Sequence, residues 1–297
     1  MHLVITDSGL GGLSICAGLD RTLRRSGGGL DLRITYVNAW PEEGRGYNDL
    51  PDMPARAAVF ERALRRIDSM QPAMILIACN TLSILYELTD HGGRADVPVL
   101  GIIDAGVDLF EETLRARPTS SVVLVGTRTT IESGVHRERL LRRGISPGRV
   151  TSVSCHGLAT AIEAAPRGPE VSALIGTCAD RAVATAAPGD LLYVGLCCTH
   201  YGMVADRLRS AVAQRTGRTV DTLDPNERLV SIVATRLLDR QLRLREPGGA
   251  SRDVPIDVIS KVTLADSKRW NVADVLEPIS PATACALRSY RHVPDLF

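Results

Sequence analysis

The chain alternates short apolar runs with longer stretches in which apolar residues recur at helical spacing. Six of the runs are continuous and bounded by polar residues or glycine, which is typical of buried strands: 3–6, 34–37, 74–78, 122–126, 150–154 and 191–196. Between them, residues 54–69 and 204–216 carry the Arg, Ala and Leu spacing of amphipathic helices. This alternation predicts an α/β fold with mainly parallel sheets.

The strand pattern also repeats at a displacement of 119 residues. Three strand ends then align in the same order, and Cys79 falls on Cys198: residues 34–38 fall on 153–157, residues 74–81 on 193–200 and, with one residue of slippage, residues 4–8 on 124–128. Ligands of open parallel sheets lie beyond the carboxyl ends of the strands. We therefore predict two pseudosymmetric lobes with the active site in the cleft between them, where each lobe contributes one cysteine.

The repeat suggests where the lobes begin and end. We place the first lobe at residues 1–96 together with a returning part, 207–297, and the second lobe at residues 97–206. Residues 245–249, which are rich in proline and glycine, indicate a loop inside the returning part.

Charge and composition limit the kinds of molecule that the protein is expected to bind. The 35 Lys and Arg residues nearly balance the 34 Asp and Glu residues, and the net charge of +1 offers no strong field for nucleic acid or an anionic membrane. No secretion signal precedes the first strand, and no apolar run approaches the roughly 18 residues that span a bilayer. We expect a soluble, cytoplasmic protein that binds a small molecule. The 7 cysteines form neither a compact disulfide framework nor a CxxC motif, so we expect reduced thiols.

Two of the cysteines lie where a strand ends and a helix is expected to begin. Cys79 is followed by Asn80, and Cys198 is followed by Thr199 and His200. A helix amino-terminus or a neighbouring imidazole favours the thiolate and lowers the thiol pKa from its usual value of about 8.5 toward neutrality. Each thiol is therefore a candidate for proton transfer. Cys197 should point to the other side of its strand and pack in the core.

Three motifs together resemble the glutamate racemase branch of the aspartate/glutamate racemase superfamily. They are Asp7-Ser8-Gly9, Ala78-Cys79-Asn80-Thr81 and Cys198-Thr199-His200-Tyr201. Two further segments reinforce the resemblance: residues 127–134 are similar to the family's threonine-rich turn, and residues 155–163 are similar to the segment that supplies an acidic residue near the second cysteine.

The resemblance implies a racemase or epimerase that acts on an amino acid, glutamate or a related substrate, by two-base proton transfer without a cofactor. Cys79 and Cys198 would be the two bases, one removing the α-proton while the other protonates the opposite face. The resemblance further implies that Asp7 assists Cys79, that His200 and Glu163 assist Cys198, and that the substrate is held by Ser8, Asn80, Thr81, Thr199, Tyr47 and Thr127. It allows a homodimer, an assembly common in the family. From the residues alone, Asp7 can instead cap a turn or a helix, and His200 can instead be a partly buried hydrogen-bonding histidine. Glu163 can equally be a solvated helix residue.

The loop after the second strand departs from the family pattern. The family usually carries Pro-Tyr-Gly there, whereas this loop is longer by about two residues, has Gly46 and Asn48 on either side of Tyr47, and adds Arg45. Because these changes fall on substrate recognition, we predict weak or absent glutamate turnover and better activity on another substrate.

The residues also argue against cofactor chemistry. Lys261 and Lys268 are the only lysines and lie in the carboxyl-terminal part that matches the family poorly, which disfavours a pyridoxal Schiff base, and no His/Asp/Glu cluster has metal-ligand spacing. Two alternatives stay open. One is a superfamily member that is not an amino-acid racemase, such as a cis-trans isomerase or a decarboxylase of a small dicarboxylate, and the other is a catalytically inactive binding protein.

Overall fold

The computed structural model describes residues 1–26, 30–93, 97–187, 189, 191–244 and 254–297. The loop predicted at residues 245–249 lies outside the described residues. The chain divides into two compact units, one comprising Met1–Gly101 and Asn226–Phe297 and the other comprising Ile102–Pro225. Along the described residues, no helix combines the length and apolar composition that crossing a membrane requires.

Strands and helices alternate along the described chain. The strands are β1 (His2–Asp7), β2 (Arg33–Asn38), β3 (Met74–Ile77), β4 (Val99–Gly101), β5 (Ser121–Gly126), β6 (Val150–Ser154), β7 (Leu191–Cys197), β8 (Thr219–Leu223), β9 (Ile256–Ser260) and β10 (Arg291–His292). The helices are α1 (Leu13–Arg25), α2 (Met53–Asp68), α3 (Asn80–Tyr86), α4 (Ile102–Ala116), α5 (Arg128–Glu132), α6 (Val135–Arg142), α7 (Leu158–Ala164), α8 (Pro169–Thr185), α9 (Ala205–Thr216), α10 (Pro225–Leu244), α11 (Asp266–Leu276) and α12 (Pro281–Arg288).

Each unit contains one parallel sheet, so the predicted α/β fold with parallel sheets is confirmed. The first sheet has the order β10-β9-β2-β1-β3-β4 and the second has the order β6-β5-β7-β8. All six predicted strands are present, as β1, β2, β3, β5, β6 and β7. The order β2-β1-β3-β4 has the same arrangement as β6-β5-β7-β8, which is the strand-level counterpart of the sequence repeat.

The chain returns to the first unit later than the sequence suggested. The expected boundary was residue 207, whereas the first unit resumes at Asn226. The reason is that β8 pairs in parallel with β7 and α9 packs against α8, so both elements complete the second unit. The boundary at which the chain leaves the first unit falls at Gly101, where β4 ends, rather than at residue 96.

One expectation about the cysteines is wrong. Cys155 and Cys178 form a disulfide, with their Cα atoms 5.5 Å apart, although all thiols were expected to be reduced. Cys155 follows β6 and Cys178 lies on α8, and these two elements pack against each other. The pairing therefore depends on tertiary packing, which a separation of 23 residues in sequence does not reveal.

Candidate active site

The first half of the candidate residues lies at the carboxyl edge of the first sheet. β1 pairs with both β2 and β3 in parallel, so the residues that end these strands lie at one edge. Asp7 ends β1, and Cys79 follows β3 as the residue that caps α3. The Cys79 side chain is buried, with 6% of its surface exposed, and its Sγ lies 3.1 Å from the Ser8 Oγ.

The glycine-rich turn after β1 brings α1 close to Asp7. A Cβ atom built on Gly12 would lie 2.8 Å from the Asp7 Oδ2 and 2.8 Å from the Ala78 Cβ. Any side chain at this position would therefore displace Asp7 or the residue that precedes Cys79. The turn thus has a packing function that the sequence did not reveal: it lets the first turn of α1 pack directly over the buried Asp7 carboxylate.

The environment of Cys79 holds its proton more tightly than expected. Burial raises the pKa of the Cys79 thiol, and the negative charge of Asp7 raises it further. Hydrogen bonds from the Ser8 hydroxyl and from the Leu82 and Ser8 backbone amides lower the pKa but do not reverse the shift. The expectation of a pKa near neutrality is therefore reversed for Cys79, because desolvation of the thiolate outweighs the helix amino-terminus.

Two buried polar side chains in this half have atoms without hydrogen-bond partners among the described residues. Both the Oδ1 and the Nδ2 of Asn80 lack a partner, and so does the hydroxyl of Tyr47. Buried polar groups in folded proteins are almost always hydrogen-bonded, so such atoms are candidates to bind a ligand or water. Tyr47 belongs to the same buried cluster as Cys79, and burial together with the charge of Cys79 raises the pKa of its phenol. Thr81, the next residue of α3, is also buried.

The loop that carries Tyr47 is shaped by a tryptophan. A Cβ atom built on Gly46 would lie 2.9 Å from the Cη2 and Cζ2 atoms of Trp40. Glycine at this position is therefore required by the indole ring, which occupies the space that a side chain would fill. Arg45 is exposed and pairs with Glu42 through a contact of 3.1 Å, so it belongs to the surface of the loop.

The second half of the candidate residues lies at the carboxyl edge of the second sheet. Cys198 follows β7, is 6% exposed and begins a short 3-10 helix, Thr199–Val204. Its Sγ lies 3.7 Å from the Nδ1 of His200, and the Nε2 of His200 lies 2.8 Å from the Oε1 of Glu163. The structure thus brings together the thiol, imidazole and carboxylate that the family resemblance implied.

The imidazole of this triad favours its protonated form. Burial lowers the pKa of His200, but hydrogen bonds with Cys198 and Glu163 raise it, and the net result is a pKa well above the usual value. A carboxylate behind a histidine stabilises the imidazolium, and an imidazolium beside a thiol stabilises the thiolate. The two cysteines therefore have different partners, with a carboxylate and a hydroxyl near Cys79 and an imidazole near Cys198.

The other residues expected in this half are buried or already engaged. Thr199 is buried directly after Cys198. Thr127 ends the turn after β5 and caps α5, where its Oγ1 accepts a hydrogen bond of 3.4 Å from the Thr130 amide. The Tyr201 hydroxyl donates to the Cys155 carbonyl at 3.0 Å, which ties the 3-10 helix to the segment that leads to Glu163. Nowhere in the described ranges do three or more His, Cys, Asp or Glu side chains converge in a way that could hold a metal ion.

Sequence reasoning missed one polar pair near the first half. Asn38 ends β2 opposite Asp7, and its Nδ2 donates to the Ser260 Oγ at 3.0 Å. Both side chains are buried, at 2% and 0% exposure. The available signal was that Asn38 is a polar residue at the end of an apolar strand, as Asp7 is.

Comparison with known proteins gives the family context. Residues 4–233 match the family model described as Asp/Glu/Hydantoin racemase. A glutamate racemase from Granulibacter bethesdensis is 28% identical over 86% of this chain and 84% of the relative. A glutamate racemase from Campylobacter jejuni is 29% identical over 151 residues, and this match spans about half of the relative, 53% of its length. The crystal structure of Francisella tularensis glutamate racemase in complex with D-glutamate shares the fold, with a TM-score of 0.66 and 19% identity over 93% of this chain and 92% of that one.

Proposed function

The chain belongs to the Asp/Glu/hydantoin racemase family, and we propose that it is an amino-acid racemase in which Cys79 and Cys198 transfer protons at opposite faces of the α-carbon. One observation carries the proposal. At the equivalent strand end of each sheet, the chain presents one buried cysteine that starts a helical turn and has a titratable partner of its own. Inversion of a stereocentre through a planar carbanion needs one base and one acid on opposite faces, and two such thiols supply them.

The side chains beside the two cysteines suggest the protonation state of the resting enzyme. Burial and Asp7 raise the pKa of Cys79, so Cys79 rests as the thiol. His200, with its raised pKa, rests as the imidazolium, with its Nδ1 3.7 Å from the Cys198 sulfur. For one enantiomer, Cys198 takes the α-proton and the Cys79 thiol donates its own proton to the opposite face. The enzyme then carries the proton on Cys198 and the thiolate on Cys79, which is the form required by the other enantiomer.

The substrate groups have candidate partners in both halves. The unpartnered amide of Asn80 offers a donor and an acceptor directly beside Cys79, which suits the carboxylate and ammonium groups of an amino acid. The unpartnered Tyr47 hydroxyl is the second such group. Ser8, Thr81, Thr199 and Thr127 complete the proposed binding set. We place the protein in the cytoplasm and expect no nucleic-acid or membrane partner, and we propose that it needs no cofactor.

The proposed activity is tested by incubating the protein with L- and D-amino acids in deuterium oxide and following the α-proton by NMR. We expect loss of the α-proton signal and appearance of the other enantiomer for at least one amino acid, with chelator present and no pyridoxal phosphate added. Glutamate should be a weak substrate or none, because the loop around Tyr47 departs from the family pattern. Efficient glutamate turnover, with kcat/KM near the usual lower range of about 10⁴ M⁻¹s⁻¹, would contradict that expectation. No exchange with any amino acid would refute the racemase.

Asp7 and Ser8 have opposite effects on the pKa of the Cys79 thiol, and this difference gives a second prediction. Asp7→Asn removes the charge that raises the pKa of Cys79, so alkylation of Cys79 by iodoacetamide at a fixed mildly alkaline pH should become about tenfold faster. Ser8→Ala removes the 3.1 Å hydrogen bond that favours the thiolate, so the same rate should fall severalfold. Peptide mass analysis measures both, with alkylation of Cys198 in the same sample as the internal control. Changes of the same sign in the two variants would contradict the assignment.

A further inference from the structure

The carboxyl-terminal residues of the chain contact the loop that carries Tyr47. This β2–α2 loop comprises residues 39–52, and the contacting residues, which we call the carboxyl-terminal brace, are residues 260–263 and 293–297. The first contact is made by Ser260 at the end of β9. Its Oγ accepts a hydrogen bond of 3.0 Å from Asn38 Nδ2, and the Oδ1 of Asn38 in turn accepts the Trp40 amide at 3.3 Å. The start of the loop is therefore tied to the start of the brace.

Ser260 also holds the brace itself. Its Oγ donates to the Val262 carbonyl at 2.7 Å and accepts the Val262 amide at 3.2 Å, while its carbonyl accepts the Val293 amide at 2.8 Å. With the bond from Asn38, the single donor and both acceptor positions of this fully buried hydroxyl are used. Ser260 thus joins three chain segments at a position that tolerates little movement.

A second contact comes from an acidic residue of the loop that precedes Tyr47. The Glu43 carboxylate accepts a hydrogen bond from the Thr263 backbone amide, across 220 residues of sequence. Its neighbour Glu42 instead pairs with Arg45 within the same loop. Of these two adjacent acidic residues, Glu43 therefore binds the brace, whereas Glu42 binds within the loop.

The third link between the two segments is a shared apolar cluster. Leu296 is 2% exposed and belongs to the buried cluster that also contains Tyr47, Leu50 and Cys79. Leu296 donates its amide to the Val293 carbonyl at 3.0 Å, so it is positioned by the same turn that Ser260 holds. This cluster is the environment in which the Tyr47 hydroxyl is buried without a partner among the described residues.

We propose that the carboxyl-terminal brace is a positioning element for substrate binding, which fixes the β2–α2 loop so that the Tyr47 hydroxyl is held ready for the amino-acid substrate. The proposal rests on the proposed racemase function. Asp7, Ser8 and Cys79 lie at the ends of β1 and β3 rather than on the loop, so loosening the loop should weaken substrate binding and leave proton transfer at saturating substrate largely unchanged.

Two matched pairs of variants test the brace. Glu43→Gln weakens the contact with Thr263, and Glu42→Gln is its control on the adjacent residue. Leu296→Ala removes an apolar side chain from the cluster that contains Tyr47, and Leu287→Ala is its control. Leu287 is fully buried on α12, between the two parts of the brace, and does not belong to that cluster. Thermal unfolding of all four variants measures any loss of stability, which we expect to be similar for the two leucine variants.

Kinetics and hydrogen exchange are then measured on the full chain. We expect KM for the best amino-acid substrate to rise about threefold in Glu43→Gln and about tenfold in Leu296→Ala, with kcat within about twofold of wild type. Hydrogen–deuterium exchange of peptides from residues 39–52 should be faster in the same two variants. Neither KM nor loop exchange should change in Glu42→Gln and Leu287→Ala.

The two readouts separate the possible failures. If hydrogen–deuterium exchange in the β2–α2 loop is unchanged in Glu43→Gln and Leu296→Ala, the proposal that the brace fixes the loop is wrong, whatever the kinetic constants show. Faster exchange with an unchanged KM, or an equal rise of KM in Leu287→Ala, would overturn its role in substrate binding. If the wild type racemises no amino acid, the proposed function fails, and the exchange data still decide whether the brace fixes the loop.

Discussion

Replacing Cys79 or Cys198 by alanine should reduce racemisation at least about 10³-fold, because one face of the substrate then lacks its acid or base. The loss must be equal in both directions, since the equilibrium constant of a racemisation is one and kcat/KM is the same for the two enantiomers. The two variants should differ in α-proton exchange. Each should exchange the α-proton of a single enantiomer, the one whose proton faces the remaining thiol, without inverting it.

Exchange in deuterium oxide, followed by NMR for each pure enantiomer, measures this difference. Cys197→Ala is the control, because Cys197 is fully buried beside Cys198 and its loss should cost about 1 kcal/mol of stability while most activity is retained. Near-normal racemisation by either catalytic variant would eliminate the two-thiol mechanism. Exchange of the same enantiomer by both variants would show that the two thiols do not act on opposite faces.

The strands that carry the two cysteines could be predicted because they are buried on both sides. β3 and β7 are continuous apolar runs, and Cys79 and Cys198 follow them at the start of a helical turn. In an α/β chain, the residues just after such a run lie at the edge of the sheet where ligands bind. The same reasoning located Asp7 at the end of β1. In contrast, β8 buries only two of its five residues, Val220 and Leu223, and so short an apolar signal did not predict a strand.

The parts of the site that the residues alone could not predict depend on contacts between distant segments. The bond between Asn38 and Ser260 joins residues 222 positions apart, and Glu163 reaches His200 across 37 positions. Glu163 was expected only because of the family resemblance, since its position on a helix is equally typical of a solvated residue. The burial of Leu296 beside the Tyr47 loop had no sequence signal, because the last residues of the chain carry no periodic pattern.

The electrostatics of Cys79 also could not be predicted from local sequence. A cysteine at a helix amino-terminus usually has a lowered pKa. In the folded chain Cys79 is buried beside Asp7, and desolvation and like charge act together to raise its pKa. The two thiols of the repeat therefore lie in different environments. Asp7 and Ser8 lie beside Cys79, whereas His200, backed by Glu163, lies beside Cys198.

That difference leads to the second prediction with a large effect. Glu163→Gln removes the carboxylate that accepts the 2.8 Å hydrogen bond from His200 and raises its pKa, so the His200 imidazole should titrate at a lower pH than in wild type. At neutral pH a smaller fraction of His200 is then imidazolium beside Cys198, and racemisation should fall by about 10². His200→Asn should fall further, because the partner of Cys198 itself is lost. Histidine-ring NMR across a pH series measures the titration, and the rate is measured with both enantiomers.

Isotope effects identify which proton transfer has been slowed. In Glu163→Gln, deuterium at the α-carbon should slow conversion of the enantiomer that Cys198 deprotonates more than conversion of the enantiomer that Cys79 deprotonates. The reason is that only the proton transfer at Cys198 has become more rate-limiting. Alkylation of Cys79 serves as the control and should be unchanged, since Asp7 and Ser8 are intact. An unchanged His200 titration in Glu163→Gln, or equal isotope effects for both enantiomers, would show that Glu163 does not act through His200 on Cys198.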